Sequence, residues 1–341
     1  MQRWRVTRVA IRVVIALVVI IANAAALAVL VASRRETSDR HGLAPSTGRF
    51  VRAHDVELYI QEAGPSDGQP VLLIHGTGAW SEIWRETMTR LAERGYRAVA
   101  VDMPPFGFSE RPPSGDYTTE TQGKRLAALI ASFPRNAVLV GHSFGARATV
   151  ESAMLEPRRI AALVLVDAAL GLHGPDGQLL PDEDEAAGLT STVLSLGLIR
   201  RPLVAGLLTN PLTTRYLLQQ LISRKEAADD AMVRTLQRPL AVAGTTTTAG
   251  EWLQWFVHPD RPSRSGRIDS YRTVNVPTMV IWGATDTLTP LPQGRAIASL
   301  IPSARLRVLE GTGHIPAIES PTDFNNALIE FLTSVPRRDS R

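Results

Sequence analysis

The chain of 341 residues contains no cysteine. That absence excludes disulfides, thiolate-ligated zinc and a cysteine nucleophile together. It leaves the compartment open, because a cysteine-free protein is stable on either side of a membrane. No H-E-x-x-H pair, P-loop or strand-linked G-x-G-x-x-G occurs, so no motif for a metal, a nucleotide phosphate or a dinucleotide is present. Clustered basic charge is missing from the body as well. Seven arginines against two acids give residues 1–40 a charge of +5, and three arginines against one acid give residues 337–341 +2; of the overall +4, this leaves 41–336 at −3. A mildly acidic body argues against a nucleic-acid-binding face. With 44% hydrophobic and 21% charged residues, the composition is that of an ordinary globular chain, long enough for one large α/β domain or two small ones.

Val13 to Ala32 is an apolar run of 20 residues interrupted only by Asn23. As a helix it reaches about 30 Å, the thickness of a bilayer's hydrocarbon core. Arg3, Arg5, Arg8 and Arg12 precede it without an acid, whereas Arg34, Arg35 and Arg40 follow it diluted by Glu36 and Asp39. This bias places the N-terminus in the cytoplasm and the body on the extracytoplasmic side. The expected layout is a basic segment 1–12, a transmembrane anchor 13–32 and a polar linker 33–49. A cleaved signal peptide with a secreted body is the rival, although a signal's apolar region is usually only about 7–15 residues. A buried core helix is the third reading.

Beyond the linker, Phe50–Ala53 and Val56–Glu62 read as a hairpin around His54-Asp55. Compact apolar runs at 70–74, 97–101, 137–140, 161–166, 278–282 and 305–309 alternate with helical patterns at 81–94, 119–133, 144–156, 293–300 and 322–335. Such alternation predicts a mostly parallel sheet covered on both faces. It stops between 170 and 268. There an acidic patch, Asp182 to Glu185, leads into apolar helical stretches at 189–200, 203–222 and 227–237, which Gly244, Thr245–Thr248 and Gly250 are expected to break. The expectation is a core of 50–169 and 269–336, with 170–268 inserted as a helical cap or lid.

The strongest chemical signal is Gly141-His142-Ser143-Phe144-Gly145 between a strand and a helix. A serine on a sharp strand-to-helix turn needs neighbours without a Cβ, and the helix start offers unpaired N–H groups to a developing oxyanion. His75-Gly76-Thr77-Gly78 ends an earlier central strand and supplies the second such donor. The oxyanion donors are therefore expected to be the backbone N–H groups of Thr77 and Phe144. Serine needs a base. Of the seven histidines, His314 in Gly311-Thr312-Gly313-His314 follows the last strand, where a loop hangs over the sheet's carboxyl edge. The others lie in the linker (His41), the hairpin (His54), the oxyanion turn (His75), the insertion (His173, His258) or beside the serine (His142). His142 is read as a buried packing group or a substrate contact. Asp286, after strand 278–282, is the expected acid; Asp167, after strand 161–166, is the rival, otherwise suited to hold the start of the insertion. The order Ser143, Asp286, His314 is nucleophile, acid, base.

On these residues the sequence resembles the α/β-hydrolase superfamily, in particular its lidded esterase and lipase-like members. The likeness covers 50–335, with Val71–Gly78, Asp102–Pro112, Gly141–Gly145, Pro277–Asp286 and Gly311–Pro321 as its blocks. In Asp102–Ser109, similar to the family's D-x-P-G-x-G-x-S loop, Pro105 stands where glycine is usual. The resemblance implies an α/β-hydrolase fold with a helical cap and a hydrolase without cofactor or metal; the apolar run at 13–32 adds an N-terminal transmembrane helix before it. Relatives that open epoxides or cleave carbon–halogen bonds carry Asp as nucleophile, which Ser143 argues against.

The insertion's Leu, Val, Trp and Phe residues either form its own core or line an apolar acyl pocket. Trp80 and Trp84, at i and i+4, either wall the pocket or pack their helix on the sheet. The function expected is hydrolysis of an apolar carboxylic ester through an acyl-enzyme. Carbon–carbon bond hydrolysis of vinylogous diketones is the alternative within the family, although that branch usually has Asn before the serine. An acyltransferase, or a binding module with an inactive site, completes the set.

Overall fold

The computed structural model describes residues 2–172, 196–257 and 263–335. Its strands are β1 (Gly48–Ala53), β2 (Val56–Ala63), β3 (Gln69–Ile74), β4 (Tyr96–Val101), β5 (Ala137–His142), β6 (Ile160–Val166), β7 (Thr278–Gly283) and β8 (Ala304–Leu309). They form one eight-stranded sheet in the order β1-β2-β4-β3-β5-β6-β7-β8. β2 pairs antiparallel with β1 and β4, and every other pair is parallel.

Period-two side-chain direction sorts the sheet's residues into two cores. Leu72, Ile74, Val99, Leu139 and Leu163 face the helices Thr119–Ala131, Gly145–Leu155 and Leu291–Leu300. Val71, Leu73, Val138, Val140 and Val164 face Arg85–Ala92 and Pro321–Ser334. Both faces are covered, so every residue of β3, β5 and β6 is buried, and apart from Gln69 and His142 at strand ends these residues are apolar or glycine. The six strands β4, β3, β5, β6, β7 and β8 are mutually parallel and point their carboxyl ends the same way, which gathers the loops after them along one edge.

Between β6 and β7 lie the helices Gly197–Leu203, continued by a π-helical turn Val204–Leu208, then Pro211–Leu221, Asp230–Gln237 and Thr245–Val257. The acidic patch 182–185, the start of the first expected apolar helix, His173 and His258 fall outside the described residues. The expected break at 244–250 is corrected. Gly244 turns the chain at φ +78, but Thr245 to Gly250 are helical. Threonine's low helix propensity is a weak prior, and here Glu36, remote in sequence, accepts from the Thr246 N–H at 3.0 Å and from its hydroxyl, capping the helix start.

A helix runs from Gln2 to Arg35. Its Arg12–Arg35 stretch is long and apolar enough to cross a membrane, and none of its most apolar window is buried against the body. The segment after it is more ordered than a linker. Arg35 Nε donates to the Leu240 carbonyl at 2.9 Å, Ser38 bridges Val242, and Arg40 and His41 both reach Glu57. Its polar residues find partners on the body.

Candidate active site

Ser143 stands between β5 and the helix Gly145–Leu155 with φ +52, a left-handed conformation for a non-glycine residue. The flanking glycines permit this turn. A Cβ on Gly145 would strike the His75 carbonyl, and one on Gly141 would come within 2.8 Å of the Ala146 backbone. Ser143 Oγ lies 2.8 Å from His314 Nε2, and His314 Nδ1 lies 2.8 Å from Asp286 Oδ2. The three side chains come from the ends of β5, β8 and β7, and all are buried. A carboxylate only accepts, so Nδ1 carries the ring proton and Nε2 turns a lone pair toward the serine hydroxyl.

Burial works to raise the Asp286 carboxyl. The hydrogen bond and charge of His314, with further bonds from Thr289, outweigh it and hold the group below the ordinary aspartate value. Its Oδ1 accepts from the backbone of Leu288 and Thr289 at 2.8 and 3.0 Å, and Oδ2 accepts from Thr289 Oγ1 at 2.5 Å. Asp286 is thus an oriented anion.

The turn after β3 passes directly against the elbow. A Cβ on Gly76 would lie 2.9 Å from the Ser143 Cβ. His75 fastens this turn: its Nε2 accepts from Met103 N at 2.9 Å, so Nδ1 donates to the Gly76 carbonyl at 2.8 Å. Burial depresses its pKa to about 4, so the ring is a neutral strut. The N–H groups of Thr77 and Phe144 donate to no other backbone carbonyl among the described residues.

Around Phe144 gathers an aromatic cluster of Phe106, Tyr117 and Trp252, joined by Leu208, Leu253 and Phe256. Phe144 and Phe106 meet Trp252 edge to face with centroids 4.8 and 4.9 Å apart. Leu208, Trp252 and Phe256 belong to the inserted helices, so that segment supplies one apolar wall beside the serine. Arg147, one turn past the serine, donates to the Ala169 carbonyl and lies over the rings of Phe144 and Phe256.

Three residues named from the sequence as pocket candidates have other contacts. Trp84 is fully buried against Phe324 and His142, packing its helix on the sheet. Trp80 is nearly as buried; its indole donates to the Thr235 carbonyl at 2.7 Å and its ring packs on Phe108, which ties the inserted helices to the core. His142 lies beneath the base, with Nε2 donating to the His314 carbonyl at 2.8 Å. Burial first, and then the nearby His314, lower its pKa to about 3. Asp167 also differs from expectation. Its Oδ1 accepts from Gly283 N on β7 at 2.8 Å instead of holding the start of the insertion. Burial, reinforced by the charge of Asp286, pushes its carboxyl well above the ordinary range.

Two contributors escaped the sequence reading. Thr289 bonds Asp286 and approaches His314 Nδ1 at 3.3 Å. Glu319 is buried, accepting from Ser223 N, Arg224 N and Ile315 N. A glutamate five residues after the histidine was the available signal, but only its contacts reveal the use. Asp167, Asp286 and His314 place ligand-type atoms within 4.8 Å of one another. Those of Asp286 and His314 are already engaged with each other and with Ser143, so the cluster does not fit a cation.

The model of the alpha/beta hydrolase fold matches residues 69–321. The chain is 29% identical over 290 residues to the 2-hydroxy-6-oxo-6-(2'-aminophenyl)hexa-2,4-dienoic acid hydrolase of Metapseudomonas resinovorans, covering 84% of this chain and 90% of that one. The crystal structure of a serine hydrolase involved in carbazole degradation superposes with a TM-score of 0.67 at 29% identity, over 84% of this chain and 98% of that one. A membrane phospholipase A, at 23% identity and a TM-score of 0.65, shares the fold over 98% of this chain and 99% of its own, a match long enough to take in the N-terminal helix. The family match spans most of the chain and contains all three residues of the relay: this protein belongs to the α/β-hydrolase family.

Proposed function

We propose that the chain is a serine hydrolase working through an acyl-enzyme on Ser143. The observation that carries this is the continuous relay from Ser143 Oγ through His314 to Asp286, with both links at 2.8 Å. His314 Nε2 takes the hydroxyl proton as Oγ attacks a carbonyl carbon, and Asp286 stabilises the imidazolium that forms. The negative oxygen is met by the N–H groups of Thr77 and Phe144. The proton passes from His314 to the leaving group, and water, deprotonated by the same imidazole, releases the acyl group as an acid.

Of the bonds this machinery opens, the carbon–carbon bond beside a ketone has the better support. Curated relatives at 26–29% identity are named as hydrolases of 2-hydroxy-6-oxo acids with conjugated double bonds. The acid named for the Metapseudomonas resinovorans enzyme contains no ester or amide, so water acts on the bond between its 6-oxo carbon and the diene. Transfer of the 2-hydroxyl proton to carbon 5 first gives the 2-oxo tautomer, in which carbon 5 is tetrahedral; when its bond to the 6-oxo carbon breaks, the electron pair left on carbon 5 is delocalised onto the 2-oxo oxygen, which takes the proton from His314 as the 2-hydroxydienoic acid departs. Hydrolysis of an apolar ester is the second reading. It is favoured by the aromatic cluster around Phe144 and by His142 standing where the carbon–carbon branch usually has Asn.

The test is a direct comparison of kcat/KM on 2-hydroxy-6-oxo-6-(2'-aminophenyl)hexa-2,4-dienoic acid and on p-nitrophenyl esters of graded chain length. The dienoic acid is expected to lead by tenfold or more; an ester leading by that margin exchanges the two readings. An organophosphonate tests the step they share. It is expected to label Ser143, and an unlabelled protein would be a binding module.

For the N-terminal helix we propose a single-pass anchor that holds the catalytic body on the extracytoplasmic side. The apolar stretch Arg12–Arg35 and the arginines before it support this. Full-length protein is expected in the membrane fraction with its N-terminus intact; a shortened, soluble product would instead identify a cleaved signal.

A further inference from the structure

The inserted helices carry an apolar surface that is left exposed among the described residues. Leu198 is 93% exposed, and Leu196, Ile199, Leu203 and Leu207 are also exposed. The last four recur at three- and four-residue spacing, from Leu196 at the cap and on along the helical stretch 197–208, and so lie on one face. This stretch packs alongside the long N-terminal helix. An apolar groove of about 440 Å³ lies between them, walled by Ala25, Val29 and Ser33 on one side and Leu198 and Pro202 on the other. Further along, a Cβ on Gly206 would meet Ala28 at 3.9 Å. The contact is fixed at its upper end, where Arg35 and Glu36 bond to Leu240 and Thr246.

These contacts set a depth. Ala25 and Ser33 are eight residues apart, about 12 Å along a helix, and the stretch 197–203 is level with that span. If the membrane surface lay below it, the anchor would keep only Val13–Ala24, twelve residues, in hydrocarbon. That is about 18 Å, against the roughly 30 Å that must be crossed. Lowering the anchor to its full apolar length carries Leu198 into the leaflet with it.

We propose that the helical stretch 197–208 is embedded in the leaflet that the anchor enters, with lipid acyl chains covering Leu196, Leu198, Ile199, Leu203 and Leu207 and filling the groove. This rests on reading the N-terminal helix as an anchor. Arg201, exposed at the groove, reaches the headgroups with its long stem along the apolar surface. The same stretch ends at Leu208, which joins the aromatic cluster around Phe144 and lies 3.7 Å from where a Gly78 Cβ would stand, beside the oxyanion turn. One helical stretch thus touches both the leaflet and the site, and the substrate class it fits is one dissolved in the bilayer.

The absence of cysteine allows a clean test on the full-length protein. Leu198→Cys, Leu17→Cys within the anchor and Glu93→Cys on the body's exposed surface each receive one nitroxide label. The proteins are placed in vesicles of phosphatidylethanolamine and phosphatidylglycerol. Collision rates with oxygen, which concentrates in lipid, and with a water-soluble nickel chelate are then measured. The proposal expects the oxygen-to-nickel ratio at Leu198 to match that at Leu17 and to exceed that at Glu93 severalfold. If Leu17 is lipid-exposed while Leu198 resembles Glu93, the anchor stands and the embedded stretch is wrong. If Leu17 also resembles Glu93, the anchor fails and the proposal with it. If Leu198 is shielded from both reagents and its label shows dipolar broadening, a second copy of the chain covers the surface in place of lipid, which also overturns it.

Discussion

His142 Nε2 donates to the carbonyl oxygen of His314 at 2.8 Å, so the residue before the serine holds the backbone of the histidine that faces the serine. The bond joins the elbow to the base loop across 172 residues of sequence. It also carries a pH signature. His142 titrates at about 3 in the folded protein and at 6.5 without burial. Between those values the unfolded chain binds a proton that the native state excludes, so stability is lost as pH falls from 6.5 toward 3. Glutamine places an amide N–H near the same spot and does not titrate. The Tm of the wild type minus that of His142→Gln is therefore expected to shrink steadily from pH 7 to pH 4. A difference that is flat, or that grows on acidification, would mean that His142 is charged in the fold.

Ser143 and His314 are expected to act as one unit. Ser143→Ala removes the atom that takes the acyl group, and His314→Ala leaves the serine without a base at neutral pH. Each is expected to cost several orders of magnitude in kcat, and the double variant little more than either alone. A Ser143→Ala enzyme that keeps most of its turnover after purification would move the chemistry elsewhere.

The two buried aspartates are expected to respond oppositely. Asp286→Asn is expected to lower kcat by roughly 10³–10⁴-fold, because the imidazole loses its tautomer and its charge partner. Asparagine matches Asp167 in shape, and its oxygen can still accept from Gly283 N. Asp167→Asn is therefore expected to keep kcat within about threefold, whereas Asp167→Ala leaves that buried N–H unpaired and costs about 1–3 kcal/mol of stability. Steady-state kinetics with denaturant titrations check both, and reversed results would place the acid after β6.

The sheet and the relay were legible because each rests on a local signal. The strands are apolar runs of the right length, Gly141 and Gly145 mark a turn that excludes Cβ atoms, and His314 and Asp286 each follow a strand. What was not legible depends on distant partners. Thr245–Gly250 reads as a break until Glu36 is seen capping it. Residues 33–49 read as a linker from their polarity, and nothing local shows that Arg40 and His41 within it reach Glu57. The i, i+4 spacing of Trp80 and Trp84 suits a pocket wall and a packing face equally, and only their burial separates the two.

Glu319 supplies the last prediction. Its Oε2 accepts from Ser223 N at 2.7 Å and Arg224 N at 3.2 Å, and its Oε1 from Ile315 N at 3.3 Å. His314 N donates to the Leu221 carbonyl at 2.8 Å. The loop carrying the base is thus fastened to residues 221–224 of the inserted helices by bonds that hold the backbone without touching the imidazole. Glu319→Ala leaves the buried Ile315 N–H without its acceptor, at a cost of about 1–3 kcal/mol; Ser223 is exposed, so water can replace the carboxylate there. Stability is expected to fall by about that amount. The loosened loop is expected to lower kcat while leaving KM nearly unchanged, since the residue does not line the aromatic wall. Glu319→Gln keeps one accepting oxygen and is expected to recover part of both losses. Hydrogen exchange gives the direct readout: in Glu319→Ala the His314 and Ile315 amides should exchange faster, while those of β3 and β5 keep their protection. Unchanged exchange at His314 together with an unchanged kcat would show that the base loop is held by its own turn and by His142, with Glu319 serving only to pin the inserted helices.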